Sequence, residues 1–103
     1  MNEALEALLD VLRYNGFELD ITEVINYIDT NENKEIIPFP HFLDEYDHDN
    51  PIRIFWSVLV MLYGDYGTSP RYGWIEVTNK QKCLNELKSW VELHEDFMCL
   101  EDE

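Results

Sequence analysis

The sequence predicts a mainly α fold of about four helices around a central apolar helix, and it allows a short two-stranded β element. Three observations carry this. Residues 51–63, Pro-Ile-Arg-Ile-Phe-Trp-Ser-Val-Leu-Val-Met-Leu-Tyr, are apolar on most of a helical circumference and polar only at Arg53 and Ser57. Both ends of the chain show apolar residues at helical spacing. Pro38, Pro40 and three glycines in the stretch 64–74 break the regions between. The 103 residues fit a single domain spanning 1–103, and 46% apolar and 14% aromatic content suffices for a packed interior.

In chain order, residues 2–15 read as a first helix. Leu5, Leu8, Leu9 and Leu12 share a face, Glu3 and Glu6 lie in the opening turns, and Gly16 follows as a left-handed stop. Asp20 with Glu23 reads as a capping box for a second helix, with Leu19 and Val24 as its hydrophobic staple. Ile21, Val24, Ile25 and Ile28 form its inner face, and it fades around Asp29-Thr30-Asn31. Glu35-Ile36-Ile37 reads as extended. Residues 40–47 allow one or two helical turns, with Phe42, Leu43 and Tyr46 inward and Asp44, Glu45, Asp47 and Asp49 outward.

The central helix has Asn50 as N-cap and Pro51 at its first position, where a missing N–H costs nothing. Gly64 is expected to end it in the left-handed conformation. At 13 residues it falls short of the roughly 20 needed to span a bilayer. The stretch 64–74 holds three glycines, a proline, Tyr66, Tyr72 and Trp74, and so reads as an ordered loop. Residues 74–77 read as a short strand that pairs with 35–37. Thr78 with Gln81 forms a second capping-box pattern opening a helix over 79–99. Leu84, Leu87, Trp90, Val91, His94, Phe97 and Met98 make its apolar face, opposite Glu86, Glu92, Glu95 and Asp96.

Charge says most about function. Lys and Arg number 7 against 22 Asp and Glu, a net charge of −15. Residues 17–50 hold ten acids and one base, and residues 83–103 seven acids and one base. Residues 51–82 between them hold two acids and four bases. Such a surface repels nucleic acid and anionic membranes and attracts basic proteins. The denser block is Glu18, Asp20, Glu23, Asp29, Glu32, Glu35, Asp44, Glu45, Asp47 and Asp49. Carboxylates along helix edges can imitate duplex phosphates and enter a Lys- and Arg-rich groove. Tyr66, Arg71, Tyr72 and Trp74 form a second candidate surface, being residue types that anchor protein interfaces.

Other chemistry finds little support. Asp29-x-Asn31-x-Asn33 begins like a calcium loop, but Lys34 stands where the turn needs Gly and Pro40 where a bidentate Glu belongs. His41, His48 and the acids near them offer metal-ligand types without a recognised spacing. No G-x-S-x-G, P-loop or G-x-G-x-x-G occurs. Cys83 and Cys99 on one helix would stand about 24 Å apart, too far to pair. The first residues lack the basic start and apolar run of a secretory signal, so free thiols in a cytoplasmic setting are expected.

In size and charge the chain is similar to the small acidic inhibitors that phages and mobile elements direct at nucleic-acid enzymes, anti-CRISPR and anti-restriction proteins among them. That likeness covers no motif. It implies a non-enzymatic inhibitor, without cofactor, acting on a basic nucleic-acid-binding protein in the cytoplasm of a bacterial host. The alternative with the same physics is an immunity protein neutralising a basic toxin nuclease. A third reading, of another class, is a metal-dependent enzyme using His41, His48 and nearby acids.

Overall fold

A computed structural model describes residues 3–67 and 73–93. The elements run α1 (Glu3–Tyr14), α2 (Glu18–Thr30), β1 (Ile36–Ile37), a 3-10 turn (His41–Glu45), α3 (Pro51–Tyr63), β2 (Gly64–Asp65), β3 (Trp74–Glu76), a second 3-10 turn (Val77–Asn79) and α4 (Lys80–Leu93). The fold is mainly α, with a small antiparallel sheet.

α1 buries Leu5, Leu9 and Leu12 and stops where expected. Gly16 adopts φ +82°. The Gly16 N–H then reaches the Arg13 carbonyl at 3.2 Å and the Phe17 N–H the Leu12 carbonyl at 2.9 Å, the paired bonds that close a helix through a left-handed residue. This tight stop shifts the start of α2. The helix opens at Glu18, directly after Phe17, which makes no side-chain cap. Asp20 is therefore inside the first turn and not its cap, and Leu19 is 71% exposed, so the expected capping box and staple are absent. Phe17 displaces them by packing on the core.

α3 starts as its sequence dictates, with the Asn50 side chain accepting the Ile52 N–H at 3.0 Å and Pro51 in the first turn. Its end differs from expectation. Gly64 has φ −154° and ψ −142°, extended and not left-handed, because it opens a strand. The sheet thus has three strands, ordered β1-β3-β2, and not two. The expected pairing of β1 with β3 is present (Ile36 opposite Glu76, Ile37 opposite Ile75), and β2 adds Gly64 opposite Ile75 and Asp65 opposite Trp74. The Asn79 amide caps the end of α3 by donating to the Tyr63 carbonyl at 2.8 Å.

The core centres on α3. Trp56 and Phe55 are buried, as is Trp90 from α4. Tyr27 and Phe39 meet Trp56 edge-on at 6.3 and 6.5 Å, a favoured aromatic geometry. The Trp56 indole N–H donates to the Gly73 carbonyl at 3.0 Å. α4 buries Leu84, Leu87 and Trp90 as expected. Gln81 donates to Asn85 instead of reaching back toward Thr78, and Glu86 is half-buried as the acceptor of the Tyr63 hydroxyl, not on the outer side. His94, Phe97, Met98, Cys99 and the acids beyond Leu93 lie outside the described residues.

Arg53 shows the largest departure. It was expected on a polar stripe with Ser57, yet it is 5% exposed. The uncovered residues of α3 are instead Ile54, Met61 and Leu62, with Val58 between them partly buried against the core, so the helix is not enclosed on every side.

Two glycines separate strain from collision. A Cβ on Gly64 would run into the Trp74 carbonyl across the β2–β3 pair, whereas one on Gly16 meets nothing within 4 Å. Gly16→Ala should cost about 1 kcal/mol, the left-handed penalty. Gly64→Ala should cost about 3 kcal/mol, because backbone must shift. Urea midpoints of the two variants, measured side by side, check this order.

Candidate functional site

The acidic block is organised by a buried cation. Arg53 lies one turn into α3, in the helical row of Trp56 and Val60. Its Nη1 donates to the Leu43 carbonyl at 3.2 Å and to the Tyr46 carbonyl at 2.8 Å, and its guanidinium stands 4.8 Å from the centre of the Phe39 ring. The two carbonyls lie in the 3-10 turn and just after it, on the segment that carries Asp44, Glu45 and Asp47. A cation–π contact and two charge-assisted bonds fix the segment 39–46 onto α3. Nη2 has no hydrogen-bond partner among the described residues.

From Tyr46 the connection continues to α2. The Tyr46 hydroxyl donates to Asp20 Oδ1 at 3.0 Å. That bond, then burial, then the charges of Asp20, Glu45 and Glu23 raise the hydroxyl's pKa above its usual 10.0. Carboxylates from α2 and from the 3-10 turn therefore share one neighbourhood, although Asp20 and Glu45 are about 25 residues apart in sequence. Asp44, Asp47 and Asp49 are exposed on the same segment, and Glu18 is half-buried in the first turn of α2.

The rest of the block is elsewhere. Asp29 is nine residues along α2 from Asp20, about 13 Å of helix. There it meets Lys88 of α4 at 3.3 Å, both side chains about half exposed. Lys80 donates to the Asn31 carbonyl at 2.9 Å. Glu32 and Glu35 are exposed in the loop beyond. Of the ten acids, Asp20, Glu23 and Glu45 thus gather around Tyr46, while Asp29 stands apart beside Lys88 of α4.

The loop after α2 is a run of side-chain turns. Asn31 Oδ1 accepts the Asn33 N–H at 2.9 Å, and Asn33 Oδ1 accepts those of Glu35 and Ile36 at 2.9 and 3.1 Å. The Asn31 and Asn33 oxygens that resembled calcium ligands are occupied by the chain's own amides, and Asp29 is paired with Lys88. Among the described residues, no three His, Cys, Asp or Glu side chains gather as a metal-holding group, His41 and His48 included.

The aromatic candidates separate. Trp74 stands half-buried in β3, its indole donating to Glu76 at 3.0 Å. Tyr66 is 41% exposed, and its N–H is held by Asp65 at 2.7 Å. Arg71 and Tyr72 lie outside the described residues. Cys83 is buried, and burial, then the Glu86 charge, push its thiol up to about 12 from 9.0. This suits a packed residue and not a nucleophile. An open cleft of about 160 Å³ lies nearby, lined by Leu62, Tyr63, Lys82 and Glu86.

Sequence reasoning missed Arg53 and the Tyr46 hydroxyl. The spacing 53-56-60 was the available signal, since it aligns Arg53 with two core residues. No protein family matches the chain, and no curated protein or solved structure is similar to it.

Two outcomes follow. Arg53→Met leaves two inward carbonyls without a donor, so stability should fall by about 1–3 kcal/mol. Hydrogen exchange should quicken first at the Leu43 and Tyr46 amides. Second, the unfolded chain releases the Cys83 proton near pH 9, whereas the folded chain holds it to about 12. Tyr27, Tyr46 and Tyr63 are likewise raised above 10.0. Stability is then intact below pH 9 and declines as pH rises through 9–12. Urea midpoints across that range should fall, and less steeply in Cys83→Ser.

Proposed function

We propose that the protein is a non-enzymatic acidic inhibitor. It binds a basic nucleic-acid-binding protein, such as a nuclease or CRISPR effector, and denies that protein its nucleic acid. The observation that carries this reading is a net charge of −15, with Asp20 and Glu23 of α2 and Glu45 of the 3-10 turn converging around Tyr46. In the block 17–50 the described residues show one ion pair, that of Asp29, so most of the charge faces outward uncompensated.

A groove lined with Lys and Arg holds anions that it releases on meeting such a surface, and this release favours association. Steering by unlike fields makes the encounter fast and salt-sensitive. Anchoring by Arg53 supports the reading as well. Carboxylates on a fixed turn lose less freedom on binding than those on a loose loop. The described helices include none long and apolar enough to cross a membrane.

Reversing Asp44, Glu45, Asp47 and Asp49 to Lys should leave the circular-dichroism spectrum unchanged and abolish inhibition of a basic nuclease. Wild-type inhibition should weaken at least tenfold between about 0.05 and 0.3 M salt. Undiminished binding by the reversed variant would move the interface to Tyr66 and Trp74, and no inhibition at either salt would end the inhibitor reading.

A further inference from the structure

The uncovered arc of α3 is unusual for the helix at the centre of the core. Ile54, Val58, Met61 and Leu62 succeed one another at helical spacing. Met61 is 69% exposed, Ile54 40% and Leu62 39%. From Ile54 to Leu62 the arc covers about 12 Å of the 13-residue helix. At its C-terminal end the cleft beside Leu62 deepens it. A methionine as the most exposed side chain of the stripe suits an adaptable contact surface.

Charge and area select the occupant. The stripe offers on the order of 300 Å², against roughly 800 Å² per partner in a stable complex. Two copies meeting here would gain little apolar contact and would each carry −15. Carboxylates lie just beyond both ends of α3. Asp47 and Asp49 precede the first turn of α3, Asp65 follows its last, and Glu86 lines the cleft beside Leu62 together with Lys82. An apolar track with negative ends fits a helix of opposite pattern.

We infer that the Ile54–Leu62 face receives an amphipathic helix of a basic partner, its apolar side on Met61 and its Lys or Arg residues on the flanking carboxylates. This is the helix-in-groove mode of recognition. The inference rests on the proposed acidic-inhibitor reading and names the element of the partner that docks.

The test uses three probes: a synthetic Leu/Lys peptide of about 14 residues with Leu at helical spacing, a scrambled peptide of the same composition, and oligolysine. The intact protein should bind the amphipathic peptide about tenfold more tightly than the scrambled one. Met61→Ser combined with Ile54→Ser should erase that preference yet keep salt-dependent binding of oligolysine. Both side chains are exposed, and Met61→Ser alone, which alters the least covered of them, should lose part of the preference. Equal binding of the two peptides by wild type, or an unchanged preference in the variants, overturns the inference while leaving the acidic reading intact. A preference that persists with no oligolysine binding at any salt supports the docking face and removes the acidic reading. A dimer in equilibrium sedimentation that Met61→Ser dissolves assigns the face to a second copy and overturns the inference.

Discussion

A guanidinium buried without a carboxylate partner is costly in most proteins, because desolvation is not repaid by a counter-charge. Here Arg53 is the buried charged side chain among the described residues, in a chain with 22 acids. The field of those acids favours a cation inside, so the surrounding charge offsets part of the cost. In return the cation holds what repulsion would spread. Asp44, Glu45, Asp47 and Asp49 crowd into six positions, and their mutual repulsion favours an extended segment. Two backbone carbonyls on one guanidinium, with the Phe39 ring against it, keep that segment folded on α3.

α3 serves as a template for both polar and apolar contacts. At its start, Arg53 fixes the turn before it. Three residues on, Trp56 packs against Tyr27 and Phe39 while its indole reaches the Gly73 carbonyl. At its end, Tyr63 donates to Glu86 and its carbonyl accepts from Asn79. One helix therefore sets the positions of the acidic turn, the base of β3 and the opening of α4. Its remaining arc, Ile54 to Leu62, is the side that these duties leave open.

Much of this was legible in residue order. The start of α3 followed from Asn50-Pro51, the stop of α1 from Gly16, and the β1–β3 pairing from two short extended runs flanked by turn residues. Local chemistry decides such features. The failures came where tertiary contacts overrode it. Asp20 and Glu23 have the spacing of a capping box, but Phe17 gains more by packing, so α2 begins early. Gly64 reads as a left-handed stop, yet its lack of a side chain serves close approach to Trp74. Arg53 reads as solvated until its row on the helix is followed to Trp56 and Val60. Which acids converge was beyond the sequence, because Asp20 and Glu45 meet only through Tyr46.

The sheet sets the order in which the molecule can assemble. β1 finds its only described neighbour, β3, about forty residues later in the chain. The turns of α1 and α2 need no such wait, since their backbone hydrogen bonds are local. Closing the long loop between the strands carries an entropic charge that α3 must first offset by collapsing onto α1. During synthesis, Ile36 and Ile37 therefore emerge as an unmatched edge and remain one until Trp74–Glu76 arrive. Substitutions in β3 should accordingly be felt as slower maturation of the chain as much as lower final stability.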